Sequence, residues 1–164
     1  MDQTDLEQVS SAAQDFLSRN VRLDGLLLNA AFFGGEYTVT KQGHEAHFGV
    51  NHLSHYLLAE LLKDKLIESA PARIVIVSSE SHREPKATGV KYEELSVSAE
   101  YYWSLLQYNR SKFCNNLHMS YLARKLHQHS VTVNSVHPGN MVPTQIDRRW
   151  WLWRLLFFIV RYST

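Results

Sequence analysis

The apolar residues of this chain recur at helical spacing in three stretches. Residues 3–18 are predicted to form an amphipathic helix. Its apolar side carries Leu6, Val9, Ala13, Phe16 and Leu17. A second helix is predicted over residues 41–68, with Thr40 as its N-cap. A third is predicted over residues 101–127, after a polar and irregular stretch at residues 80–98.

Three short runs between these helices are apolar or rich in β-branched residues, at residues 26–28, 74–77 and 131–133. Such continuous runs are typical of strands that are buried on both faces. The order strand, helix, strand, helix, strand predicts a parallel sheet with helices on both faces. Because no repeat or linker interrupts the pattern, we expect residues 1–164 to form part of one α/β domain.

Composition and charge indicate which classes of binding partner to expect. The chain is 45% hydrophobic and 20% charged, as ordinary globular proteins are. Its formal net charge of +1 gives no electrostatic reason to expect nucleic acid as a partner. The single cysteine, Cys114, cannot form an intrachain disulfide and favours a reducing compartment.

The most apolar run lies near the C-terminus, from Trp150 to Val160, and is interrupted by Arg154. This run is too short to cross a bilayer, which takes about 20 residues. We expect it to pack as a helix within the domain, and peripheral membrane contact is the alternative.

The nine histidines raise the question of a metal site. Four of them lie in the second predicted helix: His44, His47, His52 and His55. Residues 44–47 read His-Glu-Ala-His, one residue short of the His-Glu-x-x-His zinc motif, and no cysteine pair accompanies them. We therefore expect no metal ion, and imidazoles that are exposed or hydrogen-bonded within the protein.

Short polar or turn-forming motifs come directly after each predicted strand. Asn-Ala-Ala at 29–31 comes after the first strand, Ser78 and Ser79 after the second, and His-Pro-Gly at 137–139 after the third. Parallel sheets bind their ligands beyond the carboxyl ends of the strands. Each motif alone is typical of an ordinary turn, but together they predict a ligand site at this edge.

Tyr108 and Lys112 lie four residues apart in the third helix and so share one face. A free tyrosine has a pKa of about 10, and an ammonium one turn away is expected to lower the pKa of Tyr108. Tyr108 could then exchange a proton with an alcohol or carbonyl oxygen while hydride moves at the adjacent carbon. Ser79 could hold that oxygen, and Asn51 could anchor a water that connects Lys112 to solvent. Because such a pair alone is common on solvated helix faces, the prediction depends on all four residues together.

In this order, the residues resemble the short-chain dehydrogenase/reductase family, and Asn51, Ser79, Tyr108 and Lys112 match its catalytic tetrad. The resemblance implies a Rossmann-like, doubly wound parallel sheet and NADP or NAD as the cofactor. It assigns cofactor contacts to seven residues: Asp2, Asn29, Ala30, Tyr108, Lys112, Pro138 and Gly139.

The resemblance also implies hydride transfer to or from a lipophilic alcohol or ketone, retinoid-like or steroid-like, with Ser79 as the substrate contact. Residues 101–103, Tyr-Tyr-Trp, fall on the substrate side, where they would form an aromatic wall or simply fill the core. The implied location is cytoplasmic, with nuclear or membrane-associated pools as alternatives.

The sequence departs from the family pattern at its N-terminal side. No stretch matches the family's Thr-Gly-x-x-x-Gly-x-Gly loop, whose backbone N–H groups bind the cofactor pyrophosphate. We expect a partial sheet that lacks the family's first strands, with residues 26–28 at an unpaired edge. The alternative hypothesis is a catalytically inactive truncated form that binds protein partners or acts in signalling.

Overall fold

The structure, a computed structural model, describes residues 1–88, 90–91, 95 and 99–139. Its helices are α1 (Leu6–Ser18), α2 (Ala46–Phe48), α3 (Ser54–Glu68) and α4 (Ser104–Leu126). Its strands are β1 (Gly25–Leu28), β2 (Ala72–Val77) and β3 (Val131–Val136). Gly49–Leu53 form a π-helical turn, and 3₁₀ turns span Glu80–Arg83, Ala99–Tyr101 and His127–His129. All three predicted helices and all three predicted strands are therefore present, with shifted ends.

The helical region before β2 begins later than predicted, because Glu45 and not Thr40 is its N-cap. The two carboxylate oxygens of Glu45 accept hydrogen bonds from the backbone N–H groups of His47 and Phe48, each at 2.9 Å. Thr40 instead closes a preceding turn, where its hydroxyl accepts the N–H of His44 at 3.1 Å. The prediction of Thr40 as the cap was wrong, since a carboxylate closer to the helix satisfies two N–H groups at once.

The π-helical turn Gly49–Leu53 separates α2 from α3. In it the N–H of Ser54 donates to the carbonyl of Gly49, five residues back, where a regular helix would use four. Asn51 lies in the middle of this turn and is completely buried. The turn therefore sets the direction in which Asn51 points.

The three strands form one parallel sheet in the order β1-β2-β3. Leu26 pairs with Ile74, which in turn pairs with Val133, so these side chains share one face of the sheet. The predicted α/β fold with a parallel sheet is confirmed. In the described part of the chain, β1 forms an edge of this sheet, as expected.

Only one face of the sheet is covered by the described helices. Burial alternates along β2, where Ala72, Ile74 and Ile76 are buried and Arg73 is exposed. The prediction that the strands are buried on both faces is wrong for the described residues. On the uncovered face the side chain of Leu27 is 64% exposed, whereas its neighbour Leu28 is 1% exposed.

The core lies between the covered face of the sheet and helices α3 and α4. It is formed by Leu28, Ala59, Leu66, Ala72, Ile74, Ile76, Leu122, Leu126, Val131 and Val133. Helix α1 packs against α3 and buries Val9 and Ala13. The helices therefore form a layer that holds α3 and α4 side by side under the strands.

Within the described ranges, no helix combines the length and apolar character that crossing a membrane would need. The run from Trp150 to Val160, for which helix packing or membrane contact was predicted, lies outside the described residues. Both interpretations of it remain predictions.

Burial on one face can be tested with two leucines of the same strand. We expect Leu28→Ala to lower the free energy of unfolding by about 2–5 kcal/mol, because it leaves a cavity in the core. The matched change Leu27→Ala should cost less than about 1 kcal/mol, since its side chain already meets solvent. Urea unfolding followed by circular dichroism measures both. Equal losses would show that a layer also covers the second face.

Candidate active site

The carboxyl ends of the three strands meet at one edge of the sheet. Val77, the last residue of β2, pairs with Val136, the last residue of β3, and β1 ends one position earlier along β2. Beyond the strands, the N–H of Ser78 donates to the carbonyl of Val136 at 2.9 Å. The N–H of Glu80 donates to the His137 imidazole at 3.3 Å. The segments after β2 and β3 are thus held together at this edge, as the sequence predicted.

Lys112 reaches this edge from α4. Its side chain is only 2% exposed, and its Nζ donates to the carbonyl of Val77 at 3.0 Å. The ammonium also lies 5.5 Å from the centre of the Tyr108 ring. Burial lowers the pKa of Lys112 to about 8, because the interior disfavours its charged form. Lys112 can therefore gain or lose a proton at a pH close to neutral.

Tyr108 is partly buried between α4 and the edge of the sheet. Phe33 packs edge-on against its ring, with 4.7 Å between the ring centres. Burial raises the pKa of Tyr108, and a hydrogen bond with the Ser79 side chain opposes that change. The expected net lowering of this pKa by Lys112 is therefore wrong, because desolvation outweighs the other effects.

Asn51 joins the π-helical turn to the segment after β1. Its Oδ1 accepts the N–H of Phe32 at 2.6 Å, and its Nδ2 donates to the carbonyl of Phe32 at 2.9 Å. The same Nδ2 donates to the hydroxyl of Ser111 at 3.1 Å, and that hydroxyl donates to the carbonyl of Tyr108 at 2.7 Å. Both N–H groups of the amide and its Oδ1 thus have partners within the protein, and the side chain is completely buried. The role of Asn51 as a water anchor stays a prediction, whereas its hydrogen bonds show that it positions the segments around it.

Ser111 was not singled out from the sequence, although it is completely buried and links Asn51 to Tyr108. Ser78 was noted as part of the motif after β2 without a role of its own, yet its hydroxyl donates to the carbonyl of Lys112 at 2.9 Å. For both serines, the signal available in the sequence was a small hydroxyl side chain next to a candidate catalytic residue. These two serines fix the backbone from which Tyr108 and Lys112 extend.

The predicted cofactor contacts are divided between the edge of the sheet and the start of the chain. Asn29 and Ala30 are exposed just after β1, and Pro138 and Gly139 are exposed just after β3. Asp2 is exposed and accepts hydrogen bonds from the N–H and hydroxyl of Thr4, each at 2.8 Å. The predicted tetrad residues and these four exposed ones thus lie at the carboxyl edge of the sheet, whereas the described contacts of Asp2 are local.

The nicotinamide half of a dinucleotide fits this arrangement. In the described residues, the hydrogen-bond acceptor of the buried Lys112 ammonium is the carbonyl of Val77, so two of its three N–H groups stay available for ribose hydroxyls. Gly139 adopts a positive φ of 100°, which lets the backbone after β3 turn without a side chain. The Gly-rich pyrophosphate loop has no counterpart in the sequence.

A second buried polar group lies beside Tyr108. Nδ1 of His47 lies 2.8 Å from a carboxylate oxygen of Glu45 and 3.1 Å from the hydroxyl of Tyr102. Burial raises the pKa of Tyr102 to about 12, with the charge of Glu45 as a smaller cause. From the sequence, His47 was expected to be exposed or hydrogen-bonded within the protein, and it is hydrogen-bonded; its carboxylate partner two residues away was not predicted. The described residues contain no group of three or more potential metal ligands.

Aromatic rings surround this group on the side of Tyr108. The His47 ring lies 4.7 Å from that of Phe32 and 6.3 Å from that of Tyr108. Tyr102 is half-buried here, while Tyr101 is 75% exposed. Of the three aromatic residues predicted as a wall, Tyr102 alone is packed into this cluster among the described contacts.

Comparison with known proteins identifies the family. The sequence profile of the family described as short chain dehydrogenase matches residues 1–93. The chain belongs to this family. The predicted family is therefore confirmed.

Curated relatives of the chain include WW domain-containing oxidoreductases and a retinol dehydrogenase. The chain is 48% identical to the WW domain-containing oxidoreductase of Gallus gallus over 168 residues, which covers 100% of the chain and 41% of that relative. It is 45% identical to the human protein of the same name, with 97% of the chain and 39% of the relative covered. Retinol dehydrogenase 14 of Mus musculus is 43% identical over 148 residues, with coverages of 90% and 43%. The chain thus spans about two fifths of the length of these relatives.

Solved structures share the fold. A crystal structure of a protein from Mycobacterium paratuberculosis matches with a TM-score of 0.69 and 30% identity, covering 85% of this chain and 49% of that one. A metagenomic short-chain oxidoreductase in complex with NADP matches with a TM-score of 0.62 and 26% identity, with coverages of 95% and 64%. These matches agree with a Rossmann-like fold for this chain.

The buried ammonium of Lys112 predicts a pH dependence of stability. The pKa is about 8 in the folded chain and near 10.5 when solvated, so between these values the unfolded chain binds more protons. Stability should therefore rise as pH increases from about 8 to 10, by an amount on the order of 2–3 kcal/mol. Lys112→Met should remove this rise, and the exposed Lys91→Met should keep it. Urea unfolding across this pH range measures the effect, and equal slopes in all three proteins would contradict it.

Proposed function

We propose that this chain carries the proton-transfer side of an oxidoreductase that moves hydride between NAD(P)(H) and an alcohol or ketone. The observation that carries the proposal is the buried Lys112 beside Tyr108, whose side chain is hydrogen-bonded to Ser79. A nicotinamide cofactor, when bound, supplies the carbon that accepts or donates the hydride. The residues of the chain then have to hold the reacting oxygen and move its proton.

Tyr108 is the acid and base in this proposal. As a phenol it can donate its proton to a carbonyl oxygen, which becomes the hydroxyl of the product alcohol. In the reverse direction the phenolate accepts the proton of the alcohol, and the nearby Lys112 ammonium stabilises that phenolate. Ser79, hydrogen-bonded to Tyr108, would hold the same substrate oxygen. Asn51 and Ser111 would act by fixing the backbone around Tyr108.

For the substrate we propose a lipophilic alcohol or ketone of the retinoid or steroid kind. Two observations support this class. Aromatic rings line the approach to Tyr108, among them Phe33 at 4.7 Å between ring centres. Several relatives are named as retinol dehydrogenases, which places retinol among the substrates to test first. Peripheral membrane contact through the run from Trp150 to Val160 stays the alternative to helix packing.

We propose NADP or NAD as the cofactor. Structural relatives bound to NADP or NADPH support this class of cofactor in general. The exposed Asn29, Ala30, Pro138 and Gly139 would contact its nicotinamide half, with Lys112 on the ribose, and Asp2 would contact the adenine half. The predicted cytoplasmic location, with nuclear or membrane-associated pools as alternatives, is retained as part of the proposal. No observation on the described residues favours the alternative of an inactive protein-binding form.

Tyr108→Phe tests the proposed reaction. We expect it to reduce hydride transfer with retinol, a steroid alcohol or the matching ketones by at least about 100-fold, since the acid and base is removed. The control is Tyr121→Phe, which changes an exposed phenol in the same helix and should leave the rate unchanged. Nicotinamide absorbance measures the rate. Equal rates in the two variants, or no transfer with any substrate of the panel, would overturn the proposal.

Cofactor binding by the chain itself is tested separately. Calorimetric titration with NADPH and NADH should give weaker binding for Lys112→Met than for the unchanged chain, by about tenfold or more, because a charged hydrogen bond to the ribose is lost. Lys91→Met should bind as the unchanged chain does. If Lys112→Met binds equally well, Lys112 is not a cofactor contact.

A further inference from the structure

The segments that leave β2 and β3 run side by side beyond the ends of the strands. The N–H of Ser78 donates to the carbonyl of Val136 at 2.9 Å, so the parallel pairing continues for one residue past Val77. The next bond of a parallel ladder would run from the N–H of residue 138 to the carbonyl of Ser78. Residue 138 is a proline, which has no N–H group. The regular backbone pairing between the two segments therefore ends here.

The His137 side chain joins the two segments where the backbone pairing ends. Its Nδ1 accepts the N–H of Glu80 at 3.3 Å. Because a backbone N–H can only donate, this nitrogen carries no proton, and the neutral imidazole has its proton on Nε2. Glu80 directly follows Ser79, and His137 directly precedes Pro138 and Gly139. One imidazole thus connects the turn of the proposed substrate contact with the turn of two proposed cofactor contacts.

A second imidazole contacts the same peptide group from its other side. Nδ1 of His82 lies 2.6 Å from the carbonyl oxygen of Ser79, which also accepts the backbone N–H of His82 at 3.1 Å. Since a carbonyl can only accept, Nδ1 of His82 carries a proton. The carbonyl of Ser79 and the N–H of Glu80 belong to one planar peptide group. His82 and His137, here called the histidine pair, therefore fix the orientation of this peptide plane.

The orientation of that plane matters for the hydroxyl of Ser79. The Ser79 oxygen accepts hydrogen bonds from the N–H of Ser81 at 3.3 Å and from its hydroxyl at 3.0 Å. A hydroxyl has two acceptor lone pairs and one proton, so the proton of Ser79 is the part that remains for Tyr108. The ψ angle of Ser79, 153°, is the rotation between its side chain and the peptide plane that follows. Holding the plane consequently holds the direction of the Ser79 O–H group.

We propose that the histidine pair positions Ser79, so that its O–H group points at the oxygen with which Tyr108 exchanges a proton. The inference rests on the proposed function, in which Ser79 holds the substrate oxygen. In this role neither imidazole touches the substrate, and both act through Ser79. His137 also fixes the spacing between the Ser79 turn and residues 138–139. The substrate oxygen and the nicotinamide would thereby be held at a set distance from each other.

The hydrogen bonds of the histidine pair can be tested without any cofactor. In the chain with ¹⁵N-labelled histidine, NMR reports which ring nitrogen carries the proton. At a pH of about 8, where a free imidazole is neutral, we expect the proton on Nδ1 of His82 and on Nε2 of His137. The exposed His127, just after α4, should show the mixture of both forms that a solvated imidazole has. The same mixture at His82 or at His137 would overturn the proposal.

Action through Ser79 is tested by the titration of Tyr108, followed by NMR with ¹³C-labelled tyrosine. The hydrogen bond from Ser79 lowers the pKa of Tyr108. We therefore expect His82→Leu and His137→Leu to raise this pKa, as Ser79→Ala should. When Ser79→Ala is already present, His137→Leu should raise the pKa no further, because its effect passes through the missing hydroxyl.

Two variants serve as controls for the titration. His137→Asn should keep the original pKa of Tyr108, since its amide oxygen can accept the N–H of Glu80 in place of Nδ1. His127→Leu changes an exposed imidazole and should also leave the pKa unchanged. His82 is partly exposed and His137 is exposed, so their replacement leaves no cavity in the core. An unchanged pKa in both leucine variants of the pair, or a further rise on top of Ser79→Ala, would overturn the proposal.

These measurements involve no hydride transfer, so a failure of the proposed function would appear in the Tyr108→Phe experiment and not in them. Where hydride transfer is observed, His137→Leu should lower kcat/KM by about fivefold or more, the equivalent of one hydrogen bond. The same change should lower it no further in the Ser79→Ala chain. An additional loss in that double variant would show that His137 acts by another route, and would overturn the proposal.

Discussion

The amide of Asn51 holds together the three parts of the chain on which the candidate active site depends. It pairs with both the N–H and the carbonyl of Phe32, as a neighbouring strand would, and so fixes the segment that leaves β1. Through Ser111 it also fixes the carbonyl of Tyr108 in α4. Because the amide is completely buried, none of these bonds competes with water. The relative position of β1, the π-helical turn and α4 therefore depends on one side chain.

Polar and apolar side chains are buried in different zones of the molecule. Leucine, isoleucine and valine fill the space between the sheet and the far halves of α3 and α4, around Leu66 and Leu122. Toward the carboxyl edge of the sheet, the π-helical turn and α4 bury Asn51, Lys112 and Asn115 instead. The apolar zone supplies stability, which offsets the cost of desolvating an ammonium and several amides. The reactive groups thus stand in an environment of low polarity without being responsible for the fold.

Sequence patterns predicted the helices and strands well, and they predicted that the four candidate residues lie close together, because both depend on local spacing. The four-residue separation of Tyr108 and Lys112 places them on one face of any helix, and residues at the carboxyl ends of parallel strands must meet at one edge. The net pKa direction at Tyr108 could not be predicted in this way, since it depends on how deeply the ring is buried. The burial of β1 on one face only could not be predicted either, because Leu26, Leu27 and Leu28 are the same residue type and show no alternation. The contact between Glu45 and His47 could not be predicted for a related reason. Residues two positions apart are not expected to share a face of a helix unless the geometry of the helix cap is known.

The π-helical turn has a consequence for the number of residues in this region. Each residue added to a helix rotates the next part of the chain by about 100°. The extra residue in Gly49–Leu53 therefore sets the phase between α2, which presents His47 toward Tyr108, and α3, which presents Leu62 and Leu66 toward the interior. Loss of any one residue from the turn would restore regular hydrogen bonding and yet turn one of these faces away. The length of this segment is consequently as strict a requirement as the identity of Asn51.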